Sequence, residues 1–323
     1  MTAADGADVP LSSLTLDGKI GDGGQGEVHS VRDPVTPGRS ALLYKSYRAP
    51  DQVDGGALGA LVAVYRALPP EERDRLDAQT AWPLCRVVDR GRTAGFLMYA
   101  APAEMTWRTA HGAVKLTELQ FLLREPKAAW QDIGQPGPGQ RRELTLALVT
   151  LIERLHTWGL VLGDVSQANI LWTVRPAPAV YLLDCDGFRV TGRAPVLAQA
   201  DTPDWGDPLA PPGSATVDSD RYKAALAAGR ILSREAYAVP GGPFGVLPGE
   251  LDERQEAAVR ERFAQAGGAH GTRPTLAEWH TALSGRDVIK LTAASPAPRP
   301  QLNRAMLDGV RDRGSIPLRP PGT

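Results

Sequence analysis

The chain has 323 residues, with 36 basic and 37 acidic side chains that give a formal net charge of −1. This balance offers no reason to expect nucleic acid or an anionic membrane as a partner. Two cysteines, Cys85 and Cys185, exclude a disulfide framework and fit a reducing cytosol. The start MTAADGADVP lacks the layout of a secretion signal, and charged residues interrupt the most apolar helical stretch. We therefore expect a cytoplasmic protein of one large domain or two lobes.

The order of predicted elements indicates a sheet followed by helices. Strands are expected within 14–48, then a helical stretch that Pro69–Pro70 divides, then a buried strand over 94–100. The later elements are helices over 115–126, 141–159, 218–236, 252–266 and 275–285, the strands NILWTV and AVYLLD, and an irregular stretch over 192–217. This order predicts a small sheet-containing lobe, a larger helical lobe and a cleft between them.

A glycine-rich string, KIGDGGQGEV, lies between the first two predicted strands. Gly21, Gly23 and Gly26 have the spacing G-x-G-x-x-G, with Gly24 inside it and Val28 two positions beyond. A dinucleotide-binding fingerprint runs from a strand into a helix, so this setting excludes that interpretation. A phosphate-binding loop within a hairpin and an ordinary tight turn remain as alternatives.

Lysine is scarce, and Lys45 falls on the next predicted strand, 19 residues beyond Gly26. A turn between the strands would bring its ammonium under the glycine loop, where it could contact phosphates. The alternative is a solvated strand lysine.

Two acidic motifs follow the long helix. Asp164 and Asn169 form D-x-x-x-x-N between that helix and an apolar strand, where phosphoryl transfer places an acceptor-orienting carboxylate and a metal-binding amide. Asp184 and Asp186 end the next apolar strand, and in an extended chain they would face the same side.

Taken in order, GDGGQGEV, Lys45, GDVSQAN and DCDGF resemble the motifs of the eukaryotic-like protein kinase superfamily over roughly residues 14–285. SDRYKAALAAGRIL resembles the kinase helix that begins with a buried aspartate, here Asp220, and TRPTLAEWHTAL the final helix preceded by an arginine, here Arg273. AWPLCRVVDRGRTAGFLM, GDVSQANIL and LLDCDGFRV are similar to a divergent bacterial branch. Its members are encoded beside PP2C-like phosphatases and von Willebrand A proteins in tellurite-resistance-type triads.

The resemblance implies an α+β, bilobal protein-kinase-like fold. Its N-lobe (14–101) would hold a small antiparallel sheet with one helix, and its C-lobe (102–285) would be mainly helical. Residues 1–13 would form a flexible N-terminus and residues 286–323 a disordered, Pro/Arg-rich tail.

The resemblance also implies the site residues. ATP would contact Gly21, Gly23, Gly24, Gly26, Val28, Lys45, Tyr99 and Ala100. Asp164 would orient the acceptor hydroxyl, and Lys45 would contact the phosphates. Both would be catalytic residues. Asn169 and Asp184 would hold Mg²⁺, with Asp186 as the alternative ligand and Mn²⁺ as the alternative ion.

Several positions depart from the family pattern. The helix after Lys45 contains no acid to pair with it, and Leu43 replaces a small alanine over the adenine. Leu162 and Gly163 precede Asp164 instead of His-Arg, and Ser166 replaces a lysine. LAPPG replaces Ala-Pro-Glu, so Arg273 is expected to lack its usual glutamate partner.

The sequence therefore predicts a bacterial signalling enzyme, a serine/threonine protein kinase that moves the γ-phosphoryl group of ATP to a protein. The expected partners are a protein substrate, a PP2C-like phosphatase and a von Willebrand A protein, with no nucleic acid and no membrane. The alternatives are a pseudokinase that binds nucleotide or partner proteins as a regulator, and a small-molecule phosphotransferase. The stretch TPDWGDPLAPP, similar to an activation segment, favours a protein acceptor.

Overall fold

The chain first builds a six-stranded sheet and then a group of helices. The computed structural model describes residues 8–32, 40–199, 202–211 and 215–285, all within one compact unit. The sheet strands are β1 (Val9–Pro10), β2 (Leu16–Asp22), β3 (Gly26–Val31), β4 (Leu42–Tyr47), β5 (Cys85–Asp89) and β6 (Arg92–Tyr99). Their order is β1-β5-β6-β4-β3-β2, and every neighbouring pair is antiparallel except β1 and β5.

The sheet begins before residue 14. Val9 pairs with Val87 of β5, and the Asp8 carboxylate accepts two hydrogen bonds from the Arg86 guanidinium at 2.7 and 2.8 Å. Residues 1–7 of the expected flexible N-terminus and the whole expected tail, 286–323, lie outside the described residues.

Two helices, not one, separate β4 from β5. They are α1 (Gly55–Ala67) and α2 (Pro70–Gln79). The break falls at Pro69–Pro70, as the sequence predicts, because proline is accepted in the first turn of a helix but not in its interior.

The rest of the described chain contains four helices and three short strand pairs. The helices are α3 (Gln140–Thr157), α4 (Val217–Ser233), α5 (Glu253–Ala266) and α6 (Leu276–Leu283). The strand pairs are β7 (Thr106–Arg108) with β8 (Val114–Leu116), β9 (Leu160–Val161) with β12 (Arg189–Val190), and β10 (Ile170–Thr173) with β11 (Ala179–Leu182).

The prediction of a helix over 115–126 is wrong. This stretch contains the end of β8 and a single 3₁₀ turn, Leu119–Phe121. Its backbone is committed to neighbours instead: the Thr117 carbonyl accepts from the Trp172 amide at 3.0 Å, and the Glu118 carbonyl accepts from the Trp172 indole at 3.1 Å. Tertiary pairing with β10 therefore overrides the local apolar pattern.

Helix α4 forms the centre of the helical part. All of its residues except Val217 and Arg221 are buried, and it packs against α3 and α5. Thr216 begins it with a capping box, in which the Thr216 side chain and Ser219 satisfy each other's backbone amides.

The sheet and the helices share one apolar core. Trp82, in the loop before β5, meets Phe188 edge-on at a centroid distance of 5.9 Å, and the Ala81 amide donates to the Leu182 carbonyl at 2.8 Å. The Asp54 amide, at the start of α1, donates to the Val196 carbonyl at 2.8 Å. The architecture is thus mixed α+β, which confirms the predicted class. Among the described helices, none has both the length and the apolar composition needed to cross a membrane.

Candidate functional site

The glycine loop is the turn between β2 and β3. The Gly23 amide donates to the Gly26 carbonyl at 2.9 Å, which closes the turn, and the Arg48 Nε donates to the Gly23 carbonyl at 3.1 Å. Arg48 also forms an ion pair with Asp22. The predicted setting within a hairpin is therefore correct.

Gly26 is required by packing within the sheet. A Cβ at this position would overlap the Ser46 carbonyl oxygen of β4, whereas a Cβ on Gly24 would meet no atom within 4 Å. The two glycines thus differ sharply in their structural constraint, although they lie in the same loop.

We expect Gly26→Ala to lower the free energy of unfolding by about 2 kcal/mol, because the added methyl overpacks the strand pair. Gly24→Ala, the matched control, should change it by less than about 0.5 kcal/mol. Urea unfolding followed by circular dichroism measures both values. Equal effects for the two variants would contradict this account of Gly26.

Lys45 is a buried lysine on β4. Only 5% of it is exposed, and its Nζ lies 2.7 Å from Asp186 Oδ1 and 3.3 Å from Asp184 Oδ1. Burial alone lowers the pKa of this ammonium, but Asp186 and Asp184 outweigh it and hold the pKa above its usual value. The interpretation of Lys45 as a solvated strand lysine is wrong.

Asp164 is held by two side chains from different parts of the chain. Asn169 Nδ2 donates to Asp164 Oδ2 at 2.9 Å, and the Thr202 hydroxyl lies 3.0 and 3.1 Å from the two carboxylate oxygens. Sequence reasoning missed Thr202, because the irregular 192–217 stretch carries no periodic signal that could direct its hydroxyl toward Asp164.

The backbone before Asp164 rests on α4. The fully buried Asp220 carboxylate accepts from the Leu162 and Gly163 amides at 2.7 and 2.9 Å, and it lies 3.0 Å from His156 Nε2. Lys223 Nζ donates to the Gly163 carbonyl at 2.7 Å. Gly163 has a φ of +79°, a conformation that favours glycine.

Asp184 and Asp186 lie in a tight turn and not in an extended chain. Asp184 has a φ of +51°, and Cys185–Gly187 form a 3₁₀ turn in which the Gly187 amide donates to the Asp184 carbonyl at 2.9 Å. The turn nevertheless presents both carboxylates to Lys45. Their environments differ: the side chain of Asp184 is 56% exposed and that of Asp186 is 2% exposed.

One cleft of about 360 Å³ brings most of the predicted site residues together. Those that line it are Gly23, Gly24, Gly26, Val28, Lys45, Asp164, Asn169, Asp184 and Asp186. Its further wall is formed by Asp22, Gln25, Leu162, Gly187, Phe188, Leu197, Ala198 and Gln199.

Three of the residues predicted to contact ATP are not part of this lining. Gly21 lies in β2 opposite Val28. The Tyr99 carbonyl accepts from the Tyr181 hydroxyl at 3.4 Å, and the Ala100 amide donates to the Ala41 carbonyl at 2.8 Å. Leu43, which replaces a small alanine over the adenine in the family pattern, is buried opposite Met98. A role for Tyr99 and Ala100 in holding adenine stays a prediction.

The cleft is acidic. Among the described residues that line it, four are aspartates and Lys45 is the single basic side chain. Like charges repel strongly where water is partly excluded, so a polyphosphate would need a divalent cation to enter.

The oxygen atoms of the cleft fit a magnesium ion that is shared with substrate phosphates and waters. They fit less well a metal site built from protein ligands alone. Within the described ranges, no group of three or more His, Cys, Asp or Glu side chains is arranged to hold a metal ion. Magnesium is commonly held by one or two carboxylates together with substrate phosphates and waters. Asn169 gives its amide nitrogen to Asp164, which leaves its amide oxygen as the atom to offer beside the exposed Asp184 carboxylate.

Arg273 has acidic partners after all. Its guanidinium pairs with Asp207 at 2.7 Å and with Asp218 at 2.6 Å, and the side chains of Arg273 and Asp207 are almost completely buried. Aspartates therefore stand where the family has a glutamate: Asp207, just before LAPPG, supplies one carboxylate and ties the irregular 202–211 stretch to the helices.

No protein-family model matches the chain, and a search of the curated proteins finds no similar sequence. The assignment of function therefore depends on the chemistry of the cleft and on the motifs that line it.

Proposed function

We propose that this chain is a protein kinase of the eukaryotic-like superfamily, with a bilobal fold and magnesium-dependent transfer of the γ-phosphoryl group of ATP to serine or threonine hydroxyls. The observation that carries the proposal is the convergence of the glycine loop, Lys45, Asp164, Asn169 and Asp184 on one cleft. These residues come from separate stretches of the sequence, and each has the chemistry that its place in phosphoryl transfer requires.

The roles follow from the contacts. Lys45, the single basic side chain among the described residues that line the cleft, supplies the positive charge for the phosphates, and the Gly23–Gly26 turn lines the same cleft. Asn169 and Asp184 would hold magnesium, which when bound neutralises phosphate charge. Asp164 accepts the proton of the attacking hydroxyl, and the hydrogen bonds from Asn169 and Thr202 fix its orientation.

Cytoplasmic bacterial signalling, with a PP2C-like phosphatase and a von Willebrand A protein as partners, is part of the same proposal. It is supported by the resemblance to the branch encoded in such triads. Manganese is the alternative ion.

A second candidate is a pseudokinase that binds nucleotide or partner proteins without efficient transfer. One observation favours it: Ser166 stands where the family has a lysine, and its neutral hydroxyl cannot supply positive charge to the transferred group. Its side chain is also fully buried. A small-molecule phosphotransferase is a third candidate, for which acceptors such as aminoglycosides would be screened.

Two assays separate these functions. A thermal-shift titration with MgATP separates a nucleotide-binding protein from one that ignores nucleotide. Transfer of radiolabel from γ-labelled ATP, compared between wild type and Asp164→Ala, then separates an enzyme from a binder. Wild-type transfer no greater than that of the variant would end the catalytic proposal.

Thr202→Val is expected to lower the rate of phosphoryl transfer about tenfold, because it removes the hydroxyl that orients Asp164 at almost constant side-chain volume. Thr281→Val makes the same change on the exposed side of α6 and should leave the rate unchanged. Initial rates at saturating MgATP measure both. Equal rates for Thr202→Val and wild type would refute the orienting role.

A further inference from the structure

Lys45 needs a fixed position to contact phosphates, and α1 does not provide it. Helix α1 contains no acidic residue, and its buried face consists of Leu58, Leu61 and Val62. Asp54, just before it, uses its carboxylate to cap the helix by accepting from the Ala57 amide. Lys45 is instead held by the turn that follows β11.

The two carboxylates of that turn are in different environments, although they are two residues apart. Asp184 is exposed to the cleft and lies 3.3 Å from Lys45 Nζ, whereas Asp186 is buried and lies at 2.7 Å. A buried carboxylate paired at hydrogen-bond distance is poorly placed to exchange its partner for a hydrated metal ion. Asp184, by contrast, is exposed and can bind a hydrated metal ion.

The residues on both sides of Asp186 in the chain are packed into the core. Cys185 is completely buried, and Phe188 packs against Trp82, so the turn is anchored on both sides of Asp186. The buried Tyr47 lies two residues beyond Lys45 on β4, and burial together with the neighbouring Asp186 carboxylate raises the pKa of its phenol.

We infer that Asp186 is the positioning residue for Lys45, while Asp184 is the metal-binding carboxylate. The inference rests on the proposed function for the role of Lys45. It keeps Asp184 as the metal ligand and gives Asp186, the alternative ligand in the sequence analysis, the separate role of holding Lys45. Once Asp184 is committed to magnesium, Asp186 is the carboxylate that remains for Lys45. The ion pair also joins β4 to this turn directly, without α1.

The first test needs no nucleotide. Urea unfolding is measured for wild type, Lys45→Met, Asp186→Asn and the double variant. Because the pair is buried, we expect Lys45→Met to raise the unfolding equilibrium constant on the order of 100-fold. The double variant should lose less stability than the two single variants combined. The matched cycle with Asp184→Asn should show much weaker coupling. Coupling at Asp184 equal to or greater than that at Asp186 would overturn the inference.

The second test separates an anchor from a metal ligand. Electron paramagnetic resonance counts free Mn²⁺ in the presence of ATP and each full-length variant. Asp184→Asn should weaken Mn²⁺ binding at least about tenfold, and Asp186→Asn should change it less than about threefold. An equal loss in the two variants would make Asp186 a metal ligand and refute the inference.

The third test excludes a merely structural role. Asp186→Asn should lower kcat on the order of 100-fold, with KM for ATP changed less than about threefold, because Lys45 loses alignment in the transition state. Val259→Ala, a buried change in α5, serves as the destabilised control and should keep the wild-type kcat. An unchanged kcat in Asp186→Asn would contradict the role. If wild type neither binds Mn²⁺ with ATP nor transfers phosphate, the proposed function fails, whereas the unfolding cycle still decides whether Asp186 anchors Lys45.

Discussion

Replacing Asp164 by asparagine is expected to lower the rate of phosphoryl transfer about a thousandfold, since a positioned general base contributes roughly 10²–10⁴-fold. An amide of the same shape can keep the hydrogen bond from Thr202, but it cannot accept the proton of the attacking hydroxyl. The affinity for MgATP should stay within about threefold of wild type, because Lys45, Asn169 and Asp184 are unchanged.

Single-turnover transfer with saturating enzyme gives the rate, and the thermal-shift titration gives the affinity. The free energy of unfolding of Asp164→Asn is the control, and we expect it within about 1 kcal/mol of wild type. A variant that transfers phosphate at more than a tenth of the wild-type rate would show that Asp164 is not the base.

Asp220→Asn is expected to lower the free energy of unfolding by about 3 kcal/mol. The carboxylate is fully buried and accepts from the Leu162 and Gly163 amides. An amide has one acceptor oxygen, so one backbone N–H would lose its partner and the new NH₂ group would face another donor. Asp164 follows directly, so transfer should fall together with stability.

Urea unfolding measures the loss. Asp252→Asn is the matched control, because this carboxylate caps α5 at the surface and asparagine is an equally good N-cap, so its effect should be a few tenths of a kcal/mol. If both variants lose less than about 0.5 kcal/mol, Asp220 does not support the loop before Asp164.

Local patterns were sufficient for the elements that have strong periodicity or clear breakers. Helices α3 to α6 and the break at Pro69–Pro70 follow from amphipathic spacing and from proline, and the glycine hairpin follows from two strand patterns around a turn. The stretch 115–126 misled because its apolar residues have helical spacing while its backbone pairs with Trp172 in β10, which no local window reveals.

In the candidate site, too, the sequence predicted what depends on motif order but not what depends on contacts between distant residues. Motif order predicted that Lys45, Asp164, Asn169 and the two aspartates of DCD share one cleft, and they do. Lys45 lies within β4, and the other four lie just before or after short strands. The sequence favoured Asp184 as the metal ligand, with Asp186 as the alternative, but it did not show that either carboxylate pairs with Lys45, because that contact joins two distant parts of the chain. The sequence also could not predict the contacts of Thr202 and Asp207. Both lie in the irregular stretch, and their partners, Asp164 and Arg273, are far away in the chain.

The most direct measurement is a crystal structure of the protein with Mn²⁺ and a non-hydrolysable ATP analogue, with the ion located by its anomalous scattering. We expect the manganese signal beside the Asn169 amide oxygen and the Asp184 carboxylate, the triphosphate between Gly23 and Lys45, and Asp186 still paired with Lys45. A nucleotide bound elsewhere on the molecule, or a cleft that stays empty at saturating analogue, would contradict the account.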